Sequence, residues 1–366
     1  VMGSRTRDVQ TDKSLRAVLD YFRFGQKSVW NVKTGWVRDQ LLFNGTANET
    51  RQYFLGTDYD FEHGEKWRFK VGGRATWAEG DMDTYFATDS RYELYQSARW
   101  QAEKKLSLSL NLRQFGYEGG FVPFLPGVGG DWKFFEASNQ SLTLKASLGK
   151  GFKVPTLNDR FWNPGGNPGL LPEKSVNGEM GLSWVKKGLF DLDQSITFYR
   201  MQVDNWIIWL PQGALWRPEN VREVHNQGIE YQGKVGWNWG RWNWSWRMGY
   251  SYSQALDMTT EPDRPTQLPY TPEHQANGNL KAGIGGFSMH LSSFFVGARA
   301  IGTGNSRVMD AYQLWNAGIS FSKLKWGRVH FPLSFQVLNV LDRDYQVLYL
   351  RAMPGRSYQL NLTIHL

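Results

Sequence analysis

Residues 104–116 read KKLSLSLNLRQFG, with Leu106, Leu108, Leu110 and Leu112 on one parity and Ser107, Ser109, Asn111 and Arg113 on the other. Strict alternation over that length specifies an extended strand with one apolar and one polar face. The pattern returns at 241–253, where Trp242, Trp244, Trp246, Met248, Tyr250 and Tyr252 alternate with small or polar residues. It returns again at 140–149 and in the last stretch, through Tyr358, Leu360, Leu362 and Ile364. About seventeen such segments can be read by period. They lie near 14–23, 28–43, 50–61, 65–78, 90–102, 104–116, 121–135, 140–154, 174–186, 190–208, 223–238, 241–254, 273–283, 286–300, 310–322, 328–346 and 356–366. Most exceed the ~5–6 residues of a soluble strand and reach the ~9–11 that a tilted strand needs to cross a bilayer.

The connections alternate in length. Short ones fall at 23–27, 61–66, 102–104, 136–139, 186–189, 239–240, 284–285 and 323–327, and long ones at 79–89, 155–173, 209–222, 255–272 and 301–309. Tight turns on one rim and long loops on the other are the organisation of an outer-membrane barrel, whose short turns face the periplasm. The expected fold is therefore all-β, a transmembrane antiparallel β-barrel. A large soluble β-protein such as a propeller is the alternative, but it would need a repeat of about 40 residues, and none is present.

Composition fits either reading until the periodicity is considered. Mean hydropathy is −0.51, and no apolar window of about 18 residues exists, which excludes a membrane helix but not a membrane strand. The net charge of +8 comes from 42 Lys and Arg interleaved with 34 Asp and Glu. Without a basic run, nucleic acid is not an expected partner. The chain has no Cys, hence no disulfide framework and no thiolate metal site. No HExxH, G-x-S-x-G or P-loop pattern appears, so no catalysis is expected. The six histidines, 63, 225, 274, 290, 330 and 365, lie on separate segments and read as turn or lumen residues. Glu79, Asp81, Asp83 and Asp89 read as a solvated acidic loop, with calcium bound through their oxygens as the alternative. Neither a cofactor nor a resident metal is expected.

Four stretches carry a family resemblance. "GKGFKVPTLNDRFW…NPGLLPEKS" matches an F-R-A-P … N-P-N-L-x-P-E-K-S box at Phe152, Pro155, Asn167, Pro168, Leu170, Pro172, Glu173, Lys174 and Ser175. "VHNQGIEYQG" matches N-x-G-x-E at Asn226, Gly228 and Glu230. "LPYTPEHQANGNL" matches L-P-x-x-P-x-H at Leu268, Pro269, Pro272 and His274. "FQVLNVLDRDY…PGRSYQLNLTIHL" matches V-x-N-L-F-D-x-x-Y … G-R-x-Y at Val337, Asn339, Leu341, Asp342, Tyr345, Gly355, Arg356 and Tyr358. In this order over 149–366 they resemble the TonB-dependent outer-membrane receptors. The chain ends in Leu366, where that family usually ends in Phe.

The resemblance implies a 22-stranded barrel with a plug domain, of which residues 1–366 would be the carboxy-terminal part, the plug and first strands being absent. It implies active import across the outer membrane, energised by the TonB–ExbB–ExbD complex through that plug. Outer-membrane lipid, lipopolysaccharide and a ligand-capturing surface lipoprotein are the other implied partners. Compactness and the spacing from Asp344-Tyr345 to Gly355-Arg356 favour cobalamin or a related corrinoid as ligand. A ferric siderophore or haem is the alternative, though no His lies between Phe152 and Leu170. A passive diffusion porin is the competing class. The stiff Pro/Gly-rich loop at 154–175 falls on the outer rim with Phe161 and Trp162 at its centre. The expected ligand residues, in or beside long outside connections, are Tyr85, Phe86, Trp162, Asn167, Trp209, Trp216 and Arg307. Their rings suit a large flat chelate, with Asn167 and Arg307 for its amides or carboxylates.

Overall fold

The structure is a computed structural model that describes residues 9–118, 120–212, 215–259, 265–302 and 307–364. Alternation produces strands in the expected places. The first eight long strands are β1 (Gln10–Phe24), β2 (Ser28–Phe43), β3 (Thr46–His63), β4 (Trp67–Met82), β5 (Tyr85–Glu103), β6 (Leu106–Tyr117), β7 (Leu125–Ala137) and β8 (Gln140–Lys153). A five-residue helix, α1 (Leu157–Phe161), follows. The others are β9 (Glu173–Lys186), β10 (Phe190–Gln212), β11 (Leu215–Trp239), β12 (Trp242–Asp257), β13 (His274–Ile284), β14 (Phe287–Val296), β15 (Tyr312–Phe321), β16 (Leu333–Leu338) and β17 (Ser357–Leu362). With the short segments Gly120–Phe121 and Thr266–Gln267 they make one 19-stranded sheet. Successive strands pair antiparallel, as in β1–β2 and β11–β12. The expected all-β class is thus observed.

Two compact units divide the chain, one of residues 1–130, 147–177 and 203–223, the other of 131–146, 178–202 and 224–366. In the first unit the register sorts the two faces of β2–β5. Trp36 pairs with Tyr53, Tyr53 with Trp77, Leu55 with Ala75, and Ala75 with Tyr92, so all lie on one face. That face is apolar yet open: Leu55, Val71, Leu94, Leu108 and Leu110 are all exposed. So large an exposed apolar surface marks a face that water does not solvate. On β4 it runs from Trp67 to Trp77, about 33 Å along the strand. At a tilt of ~45° that rises roughly 23 Å, close to the ~25 Å apolar band of outer-membrane barrels flanked by aromatic girdles. The opposite face carries Lys70 with Asp58 and Asp60, and Arg113 with Glu93. Toward the loop end that face closes over Phe115, Val122, Leu125 and Val154, packed against Phe152.

The second unit repeats the scheme. Trp237 stacks on Trp244 at 5.8 Å and Phe287 packs on Phe321 at 5.1 Å, while Tyr250 hydrogen-bonds His274 Nδ1 at 2.8 Å further along the same face.

Three expectations are corrected. The segment 79–89 is not an acidic loop: β4 and β5 continue through it to a two-residue turn, Asp83–Thr84. Glu79 pairs across the strands with Thr88, while Asp89 is buried on the other face beside Arg91 at 2.6 Å. The four acids therefore do not converge, and no cluster fit for a metal occurs among the described residues. Likewise β10 runs on to Gln212 and β11 begins at Leu215, so the described part of 209–222 is strand rather than a long loop, residues 213–214 lying outside the described residues. Finally, 328–346 is not one strand. β16 stops at Leu338, and Asn339 and Asp342 turn the chain at φ 50° and 53°. Buried Asn339 locks that turn: its side chain both accepts from and donates to the Arg343 backbone, each at 2.9 Å. Asp342 Oδ1 accepts from Arg356 N–H at 2.7 Å. The N-x-x-D … G-R residues are thus the fastening between β16 and β17.

Candidate functional site

The Pro/Gly-rich loop is built around one carboxylate. Pro155 and the glycines beyond Trp162 deny it regular structure, yet Thr156 starts a single turn of helix. Thr156 Oγ1 accepts from Asp159 N–H at 3.1 Å, and Asp159 Oδ2 accepts from Thr156 N–H at 2.9 Å and from its hydroxyl at 2.7 Å. This is a reciprocal capping box. The other oxygen, Oδ1, accepts from Trp209 Nε1 at 2.9 Å, and the Asp159 carbonyl accepts from Asn167 N–H at 2.8 Å. Asp159 is buried, with every carboxylate contact supplied by the loop or by β10.

A second carboxylate joins the two halves of the box motif. Buried Glu173 accepts from Lys153 Nζ at 2.9 Å and from Ile207 N–H at 3.0 Å through the same oxygen. Lys153 also lies over the Trp206 ring at 5.9 Å. Asn220 then ties the loop's end to β11, donating to Leu171 O at 3.0 Å and accepting from Leu171 N–H at 2.9 Å.

Most of the expected ligand residues gather on this loop. The Tyr85 hydroxyl donates to Asn158 Oδ1, and its ring meets Phe161 at 6.2 Å. Burial, then the nearby Asp159 charge, raises the Tyr85 phenol above its usual range, so it stays a donor. Trp209 is held by Asp159. Trp216 is brought in by its backbone: a Cβ on Gly165, at φ 143°, would sit 2.6 Å from the Trp216 carbonyl oxygen. Trp162 and Trp216 keep 41% and 60% of their surface open. Asn167 is spent on the loop itself, its Oδ1 taking Gly169 N–H at 3.0 Å and its amide reaching Pro218 O at 3.4 Å. Phe86 does not join the group; it shares the outer apolar face with Tyr92 and Leu94, opposite to Tyr85. Arg307 belongs to the other unit, where its carbonyl accepts from Ile301 N–H at 3.1 Å.

Asp159, Asn158, Lys153 and Glu173 were not among the expected site residues. Thr156-x-x-Asp159 is a legible capping signal; the partnership of Lys153 with Glu173 is tertiary and leaves no local mark. The arrangement offers open aromatic faces beside polar groups engaged with one another.

Comparison with known proteins bears on the family and the fold. A family model described as TonB dependent receptor-like, beta-barrel matches residues 3–340. A vitamin B12 transporter, BtuB, of Photobacterium profundum is 27% identical over 311 residues, covering 80% of this chain and 47% of that protein. A BtuB of Vibrio vulnificus is 29% identical over 215 residues, covering 58% of this chain and 32% of that protein. The chain thus spans about half the length of these relatives or less. The siderophore receptor PirA from Pseudomonas aeruginosa superposes with a TM-score of 0.75 at 16% identity, over 99% of this chain and 65% of that one. The copper transporter OprC gives a TM-score of 0.73 at 16% identity, over 96% and 64%.

Proposed function

Since the chain belongs to the TonB-dependent receptor β-barrel family, whose members reside in the outer membrane, we propose that it serves active import of a scarce metal chelate, with a corrinoid such as cobalamin as first candidate. The observation that carries this reading is the pair of open indoles, Trp162 on the loop and Trp216 beside it on β11, where the buried Asp159 is satisfied by the loop and by β10. Open indole faces suit a large flat ligand. The corrinoid is supported by relatives named as vitamin B12 transporters, one of them matched over 80% of the chain. A ferric siderophore is the second reading, supported by the likeness in fold to siderophore receptors.

Residues 1–366 are then the carboxy-terminal part of a larger barrel, preceded in the whole receptor by a plug that engages the TonB–ExbB–ExbD complex. That the chain spans 47% of one relative's length supports its being part of a larger receptor. Lipopolysaccharide surrounds the barrel, and a surface lipoprotein is a further proposed partner.

The test is titration of the intact receptor with cyanocobalamin and a panel of ferric siderophores. Trp162→Ala and Trp216→Ala should each weaken binding by about 1–3 kcal/mol without lowering barrel yield. If no ligand binds below micromolar, or the double variant binds as the parent does, the reading is wrong.

A further inference from the structure

Behind the tryptophans of β11 and β12, the opposite face of the same strands carries cations without a counter-charge. Lys234 of β11 stands directly across from Arg247 of β12. Ser245, two residues before Arg247 on that face, stands across from Lys281 of β13. The three cations form one group, since side chains directly across a ladder lie ~5 Å apart at Cβ and diagonal ones ~7–8 Å. Like charges directly opposite one another destabilise a sheet. Among the described residues no carboxylate relieves them, and none of the three forms an ion pair. The strands beyond supply no acid there either: β13 adds Asn277 and Asn279 to this face, and β14 sets His290 against Lys281.

The group lines a hollow of about 430 Å³. The hollow exists because Gly236 and Ser245, which pair with each other in the middle of the group, are small. Asp191 and Asp193 of β10 also line it, and Asp191 is engaged by Lys187 at 3.4 Å. With Lys187 included, four cations face two carboxylates, which leaves two positive charges over.

We propose that this hollow binds a phosphate group, with Lys234, Arg247 and Lys281 donating to its oxygens. A phosphate group carries about −1.5 to −2 near neutral pH, which matches the surplus. It also presents oxygens in several directions, as three cations on three strands require, where a carboxylate presents two in one plane. The guanidinium gives two oxygens a parallel pair of N–H donors, and each lysine acts as a point charge. The phosphate is either the free ion or one carried by a larger molecule, and the recognising chemistry is the same. The site does not rest on the import reading.

The full receptor, purified in detergent, is dialysed to equilibrium against radiolabelled inorganic phosphate, and binding should saturate. Arg247→Gln and Lys281→Gln should each weaken it about tenfold. Asp193→Asn, which removes the unengaged acid, should tighten it. Gly236→Val keeps every cation and should abolish binding by filling the hollow. A Cβ there meets nothing closer than Asp191 Cβ at 3.7 Å, so the strand accepts it. Lys27→Gln, in the turn before β2, removes the same charge elsewhere and should change nothing. Cyanocobalamin, which contains a phosphodiester, and cobinamide, which lacks it, are then offered as competitors. Displacement by cyanocobalamin alone assigns the phosphate to that cargo; any other pattern assigns the free ion. Unsaturable binding overturns the proposal, as do equal losses in Lys27→Gln and Arg247→Gln, which would report overall charge only. Absence of binding overturns it too, the hollow then being closed to anions in the whole receptor. Heat-modifiable gel migration reports folding separately, and if Arg247→Gln does not fold, Asp193→Asn and Gly236→Val decide.

Discussion

Asp159 shows how one side chain organises a loop that has no regular structure to lean on. Its two oxygens accept from Thr156 and from Trp209, and its carbonyl accepts from Asn167. Removing it strands buried donors, which costs more than the bonds themselves contribute. Asp159→Ala should therefore loosen residues 156–172 by about 1–3 kcal/mol while leaving the strands unchanged. Hydrogen exchange of the loop amides measures this; unchanged protection would show that Asp159 is not the organiser. Of the seven residues that the sequence singles out near outer connections, five fall on or beside this loop. Phe86 and Tyr85 could not be told apart that way. Adjacent residues of a strand point to opposite faces, and only the register Asp81↔Phe86 reveals which is outside.

Strands were legible where the bilayer imposes alternation and illegible where it does not. Within the band one face must be apolar, so period 2 appears in β6 as Leu106 to Leu112. Beyond it both faces meet water, and the ladder persists with no hydrophobic pattern to betray it. That is why β4–β5 past Trp77, with Glu79, Asp81 and Asp83, read as a loop. The same holds for the outer ends of β10 and β11. The inward side of β6 is equally specific: Ser107 is 2% exposed and accepts from Arg99 Nε at 2.8 Å, whereas Leu108 is 41% exposed. Leu112→Arg, six residues into β6 and in the row of Gln96 and Val71, should cost about 2–4 kcal/mol, read as a lowered midpoint of urea unfolding in vesicles. A lipid-soluble thiol reagent should label Leu108→Cys and spare Ser107→Cys. The reverse labelling would place the wrong face toward lipid.

At the scale of the first unit, the strand ends differ in kind, and that difference predicts orientation. β3 has 18 residues between two glycine-bearing turns, Asn44–Gly45 and Gly64–Lys66. At ~3.3 Å per residue it is roughly 60 Å long, more than a tilted strand needs to cross the apolar band. The excess lies on one side only. From Trp67, beside the Gly64 turn, the apolar stripe of β4 begins almost at once. At the other end Arg51 and Glu49 follow Tyr53 on the lipid-side face before the chain turns at Gly45. A barrel whose strands protrude on one rim and turn tightly at the other has its protruding rim outside. Both turn glycines have positive φ, 87° and 64°, with nothing within 4 Å of a Cβ placed there. Each therefore offers a site where a short insertion disturbs little packing. An epitope inserted at Gly45 should bind antibody on intact cells. The same epitope at Gly64 should bind only after the outer membrane is permeabilised. Detection of both on intact cells, or of Gly64 alone, would reverse or abolish the orientation. The outward placement of the Pro/Gly loop would fall with it.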